Sequence, residues 1–362
     1  MAYGEPRLAD GARKVLILRM DRIGDMLLST PAIRNLREGL PSAHLTLIAS
    51  PYNAPVLRGW EAVDEVRVYD LKWPASRKRG FARRLREEGY DLCVVLSSLM
   101  ESYRLAFGSR ARIRAGILYS RRLLARVVGP IFLTHPIVID IDGAVERGEY
   151  VPHEVEQMLS LVKLLGLPAK EHPLEVPVSR ADREWARGLV SRSCSGRTLI
   201  GLHLSSKWFS SGWTGLGMTL LLEEILKAIP DSAIIVTYGP GETEAAEQLA
   251  PHLDVDRGSD LARSLTGRVM LAGDLSFGQW AGLLSLCGVI LTRDTGSLHL
   301  AAALGVPLVA IYEKGSFHHN AQQWAPWKVP HFSIEAGEVG ETSFEILRRV
   351  SSLLGESARS AA

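Results

Sequence analysis

Short apolar runs alternate with segments whose apolar residues recur every three to four positions, and the alternation persists along the chain. Runs buried on both faces read as strands of a parallel sheet, and the periodic segments read as the helices that cover it. In the first half, strands are predicted over 14–20, 45–49, 65–69 and 92–97, with a helix over 25–38 and a long amphipathic helix over 153–165. Leu167-Pro168 and Glu171-His-Pro-Leu-Glu-Val-Pro177 then interrupt the periodicity with three prolines, which places a linker there. The pattern restarts with strands over 198–204, 233–238 and 289–292. A tail rich in Ser and Ala after Leu354 is expected to fray.

The segment Asp294-Thr295-Gly296-Ser297-Leu298-His299 sits between the apolar run ending at Thr292 and an Ala/Leu-rich helix over 298–304. Gly305 can cap that helix before the next strand, 306–312. A polar turn from a strand into a helix gathers free backbone N–H groups and the positive end of the helix dipole, so it suits an anion, phosphate first. His299, one turn into the helix, can add a proton donor. Polar turns also follow residues 20, 204 and 238, and open parallel sheets bind ligands at such strand ends.

At 362 residues, 46% hydrophobic and 23% charged, the chain is long enough for two globular domains and gives no sign of disorder. No apolar stretch approaches the roughly 18–20 residues that span a bilayer, and no basic segment with an apolar core opens the chain, so a cytoplasmic location is expected. Cys93, Cys194 and Cys287 are widely spaced, which argues for buried reduced thiols rather than disulfides or a zinc site. The net charge of +2 hides an asymmetry: from Lys72 to Arg126 there are fourteen Lys or Arg against four Asp or Glu. Arg77, Lys78, Arg79 and Arg83 lead this group, with Arg110, Arg112, Arg114, Arg121, Arg122 and Arg126 behind. Two readings stand, a solvated helix face and a surface for an anionic partner. Nucleic acid is not the expected partner, because neither zinc-finger spacing nor an RNP-like aromatic motif accompanies the charge. Three signatures are also missing: G-x-G-x-x-G after the first strand, a P-loop and a G-x-S-x-G elbow. Their absence disfavours dinucleotide oxidoreductases, P-loop phosphotransferases and serine hydrolases.

Three blocks carry a family resemblance: KVLILRMDRIGDMLLSTPAIRNLREGLPSAHLTLIAS, HEVEQMLSLVKLLGLP and DTGSLHLAAALGVPLVAIY. Together they resemble glycosyltransferase family 9, the ADP-heptose:lipopolysaccharide heptosyltransferases and their relatives. The resemblance implies an α/β GT-B fold, two Rossmann-like domains with parallel sheets facing a central cleft. Residues 1–170 would bind the acceptor, 171–340 the nucleotide sugar, and 341–362 would form a helix packing back on the first domain. It further implies inverting transfer of heptose or a related sugar from ADP-heptose to an anionic saccharide or glycolipid acceptor, without cofactor or metal, in the cytoplasm or at the inner membrane face. A relative using a UDP- or GDP-sugar, and a catalytically silent sugar-nucleotide binding protein, are the competing readings.

Residue by residue, Asp25 matches the family's general base; it could equally serve as a helix N-terminal carboxylate, and Asp21 is its neighbouring competitor. Asp294, Thr295, Gly296 and His299 match the diphosphate turn. His203 to Thr214 resembles a second donor turn, giving Ser205, Ser206, Lys207 and Ser211 as contacts. Here the sequence departs from the family: Ser211 stands where a phosphate-binding Lys is expected, and Lys207 could substitute. Gly239 with Glu242 or Glu244 matches the ribose-binding turn. Arg22, Arg77, Lys78, Arg79 and Arg83 are the acceptor candidates. The segment from Tyr312 to Asn320 also departs from the family's turn, and its adjacent His318 and His319 read as a polar loop rather than a metal site.

Overall fold

The computed structural model of the chain describes residues 8–121, 129, 131–253 and 267–361; Arg122 and Arg126 of the basic group lie outside them. The chain divides into two compact units, one of residues 1–177 with 322–324, the other of residues 178–321 with 325–362.

The first unit holds a six-stranded sheet: β1 (Lys14–Leu18), β2 (His44–Ala49), β3 (Glu65–Val68), β4 (Leu92–Val95), β5 (Ile113–Tyr119) and β6 (His135–Ile139). Its order is β3-β2-β1-β4-β5-β6, all parallel. The second unit holds β7 (Thr198–Leu204), β8 (Ser232–Tyr238), β9 (Val269–Ala272), β10 (Val289–Arg293), β11 (Leu308–Tyr312) and β12 (His331–Glu335), in the order β12-β11-β10-β7-β8-β9. Counted within each unit, both sheets run 3-2-1-4-5-6, the doubly wound order, and each has its switch point between its first and fourth strands. Those strands are almost wholly buried. Val15 to Leu18, Leu92 to Val95 and Val289 to Leu291 are buried, because helices cover both faces of a parallel sheet.

The sequence reading joins residues 25–38 into one helix, whereas the structure breaks it into Ile23–Leu28 and Thr30–Gly39. Pro31 is the cause. It has no N–H to give the carbonyl of Leu27, and the Thr30 hydroxyl donates to that oxygen instead at 2.7 Å. The turn between the two helices leaves Asp25 in the first turn of the shorter one.

The terminal helix, Val339–Ala361, packs on β10, β11, β12 and the Gly215–Ala228 helix of the second unit. Ile346, Val350 and Leu353, on one helical face, are buried in the second unit's core. The helix runs past Leu354 to Ala361, in keeping with the Ala, Arg and Glu there, good helix formers. Among the described residues no helix is long and apolar enough to cross a membrane.

Candidate functional site

In the first unit, the turn after β1 is built around one buried guanidinium. Arg19 is 2% exposed and faces three carboxylates: Asp21 at 3.5 Å, Asp25 at 3.8 Å and Glu154 at 3.3 Å. It also donates to the backbone oxygens of Leu96 and Asp25. Burial works against the Arg19 charge, but the three carboxylates prevail and raise its pKa. Burial raises the pKa of both Asp21 and Glu154, with Arg19 opposing it in each case. Glu154 opens the Glu154–Leu164 helix, so its carboxylate also meets the positive helix end.

Asp25 differs from its neighbours in being 29% exposed. Its backbone oxygen accepts from Arg19 Nε at 2.9 Å and from the Ser29 hydroxyl at 2.8 Å, and its Oδ2 accepts from the Arg22 amide at 3.0 Å. Asn53 holds the same turn through the carbonyls of Arg19 and Asp21. A carboxylate fixed by its own backbone yet open to solvent can take a proton from a bound hydroxyl. Asp21, Arg22 and Asp25 line a cavity of 590 Å³ with Ser97, Tyr119 and Glu154, at the carboxyl ends of β1, β4 and β5. The helix-terminus role weighed for Asp25 is present through the Arg22 amide.

The acceptor candidates separate. Arg22 lines the Asp25 cavity; Arg77 stacks on Trp73 at 3.9 Å and lines a second cavity, of 670 Å³, with Arg67 and Arg84. Lys78 pairs with Glu101 at 3.7 Å, and Arg79 and Arg83 are exposed on the Ala75–Glu88 helix.

In the second unit the predicted donor turns meet at the switch point, after β7 and β10. Lys207 Nζ donates to the Asp294 carbonyl at 2.5 Å and lies 3.7 Å from its carboxylate. Burial raises the Asp294 pKa, with Lys207 the leading opposing influence. Thr295 is the extended residue before the Gly296–Ala303 helix, so the Gly296 amide is among those without a helical partner. That helix closes as expected: Gly305, at φ +70°, takes the left-handed turn, donating to Ala302 while Val306 donates to Ala301. His299 is buried in its first turn. The Ser205 hydroxyl is buried without a hydrogen-bond partner among the described residues. The Ser206 amide donates to Glu242 Oε2 at 2.6 Å, which ties the β8 turn, with Gly239, to the β7 turn; Glu244 is exposed in the next helix. His203 packs beside Trp280 with Nδ1 3.1 Å from the Thr237 hydroxyl, and burial lowers its pKa to about 4, so it is a neutral framework residue.

Ser211 has a different place from the one its alignment suggests. Its hydroxyl accepts from Arg293 Nη1 at 2.7 Å and can donate to the carbonyl of Lys207 or Trp208, each at 2.9 Å. Arg293, Glu313, Arg19, Asn53 and Glu154 are the site-forming residues that sequence reasoning did not assign. The available signal was an arginine closing an otherwise apolar strand, at Arg19 after β1 and Arg293 in β10, where burial demands partners. Among the described residues no group of three or more His, Cys, Asp or Glu is placed to hold a metal ion.

Two doubly wound sheets, each with polar turns at its switch point, define the GT-B class of glycosyltransferase fold. The structure of a family 9 glycosyl transferase from Veillonella parvula matches with a TM-score of 0.77 at 19% identity, over 95% of this chain and 97% of that one. Escherichia coli ADP-heptose lipopolysaccharide heptosyltransferase II matches with 0.76 at 20% identity, over 95% and 99%. The family model for glycosyltransferase family 9 (heptosyltransferase) matches residues 78–345, and the chain belongs to that family. It is a glycosyltransferase. Lipopolysaccharide heptosyltransferase 2 of Escherichia coli K12 is 25% identical over 316 residues, 84% of this chain and 83% of the relative.

Proposed function

We propose that this glycosyltransferase moves heptose or a closely related sugar from ADP-heptose to an anionic saccharide or glycolipid of the lipopolysaccharide core, with inversion and without a metal. The observation that carries the reading is Asp25, whose carboxylate accepts from the Arg22 amide and whose backbone oxygen is held by Arg19 and Ser29, in a cavity at the first switch point. Its family relatives bear the names of heptosyltransferases, and one solved relative is named for ADP-heptose.

In this reading Asp25 takes the acceptor hydroxyl proton while the oxygen attacks the anomeric carbon and the bond to the diphosphate breaks. The departing diphosphate carries its charge to the amides of Thr295 and Gly296, to His299 and to Lys207, with Ser205 and Ser206 on the adjoining turn. Glu242 is the better placed of the two ribose candidates, since it is already bonded to the β7 turn. The test is calorimetry with ADP, UDP and GDP and their sugar nucleotides in the presence of a chelator. Selective binding of ADP and ADP-heptose is expected; preference for UDP or GDP replaces the donor, and absence of any binding removes the enzyme's donor seat.

The cavity lined by Trp73, Arg77 and Arg84, with Asp70 and with Arg67 already paired to Glu65 and Glu88, supplies two arginines and an aromatic face, a combination suited to phosphate or carboxylate groups on a saccharide. Such a contact at the surface weakens as salt screens it. Acceptor KM should rise several-fold between ~20 mM and ~500 mM salt, because the Debye length falls to a few ångströms. A KM constant over that range removes the basic groove from acceptor binding.

A further inference from the structure

Arg293 is the most deeply buried cation of the second unit's site: it is 0% exposed, immediately precedes Asp294 and ends β10. Its Nη1 donates to the Ser211 hydroxyl and its Nη2 to Glu313, and the guanidinium carbon lies 5.7 Å from the Trp208 ring centroid. Nε is buried with no hydrogen-bond partner among the described residues. Buried donors left unmet cost stability, and natural sites that keep one give a reason to ask what it does. The partners form a ring. Arg293 holds Ser211, Ser211 holds the Lys207 carbonyl, and Lys207 Nζ holds the carbonyl of Asp294, the residue bonded to Arg293.

We infer that Arg293 is a positioning residue that locks the Lys207 turn to the Asp294 turn and supplies, from inside the protein, the permanent positive potential of the nucleotide diphosphate seat. The inference rests on the donor-binding reading above. Its electrostatic basis is an asymmetry. The guanidinium is wholly buried, whereas its counter-ion Glu313 is 46% exposed, so water screens the negative partner more than the positive one. Lys207, 42% exposed, is a screened and mobile charge by comparison. Ser211, where a family lysine was expected, serves here as the link through which the buried charge reaches the loop.

The experiment compares ADP with adenosine, or the matched pair for whichever base the nucleotide panel selects, by calorimetry on wild type, Arg293→Gln, Arg293→Lys and Glu313→Gln. Arg293→Gln should weaken ADP binding about tenfold or more, the scale of one charge interaction in a partly desolvated site, and leave adenosine binding nearly unchanged. Arg293→Lys should recover part of the loss. Glu313→Gln, a change at a half-exposed side chain, should tighten ADP binding a few-fold, because the opposing charge is gone while a bond to Arg293 is still possible; no scaffolding role for Arg293 gives that sign. Equal ADP affinity in wild type and Arg293→Gln, proportional loss of ADP and adenosine, or weaker ADP binding by Glu313→Gln would each overturn the inference. If Arg293→Gln does not fold, the Glu313→Gln result decides alone. A wild type that binds adenosine and ADP equally well would instead overturn the diphosphate seat itself.

Discussion

Replacing Asp25 with Asn should lower transfer by roughly 10²–10⁴-fold, the usual contribution of a general base, while ADP affinity stays within about twofold of wild type. Asparagine keeps the size of the side chain and an oxygen that can accept from the Arg22 amide, so the start of the Ile23–Leu28 helix survives. What it loses is the ability to take a proton. The matched control is Asp21→Asn. Asp21 is more buried than Asp25 and so less open to a bound hydroxyl, which makes it the weaker candidate for the base. Single-turnover transfer with saturating donor, measured beside calorimetric ADP binding, separates the two. Full turnover by Asp25→Asn would sink the base assignment, and a larger loss in Asp21→Asn would transfer the role to its neighbour.

Arg19→Met should destabilise the first unit by about 3–5 kcal/mol at neutral pH, the scale for removing one partner from a buried ionic cluster. The side chain volume is roughly kept, but Glu154 and Asp21 lose the guanidinium that opposes their desolvation. The pH dependence gives the sign. Both carboxyls have folded-state pKa values raised above the ordinary range, so they favour folding when protonated, and that contribution disappears as pH rises through the folded pKa. Without Arg19 those values rise further. The deficit of Arg19→Met relative to wild type should therefore be greatest near neutrality and shrink in acid, as chemical denaturation at several pH values would reveal. A deficit independent of pH would mean that packing, and not the carboxylates, accounts for the loss.

The central strands were legible because burial on both faces forces uninterrupted apolar runs: Thr198–Leu204 emerges with the bounds read from sequence. The edges were not. β6, β9 and β12 lie at sheet margins, where exposed positions dilute the signal, and β5 carries Arg114 and Gly116 within it. Pro31 divided a helix that periodicity alone would continue. At the site, the turns holding Asp25, Lys207 and Asp294 were readable as polar interruptions between apolar elements. The groups that orient them were not, since Arg19 meets Glu154 across 135 positions and Arg293 meets Ser211 across 82. Local pattern contains no information about such pairings; only the sheet order brings the strand ends together.

That shared order has a further consequence. The two units repeat one topology and load its crevice with different charge: three carboxylates about one guanidinium after β1, and two cations, Lys207 and Arg293, balanced by Asp294 and Glu313 at β7 and β10. The backbone is thus a neutral stage, and polarity is written in a handful of loop residues at matching places on it. Diversification in such a protein can proceed by editing one crevice while the other is left unchanged, so the binding properties of the two units can drift separately along a single chain.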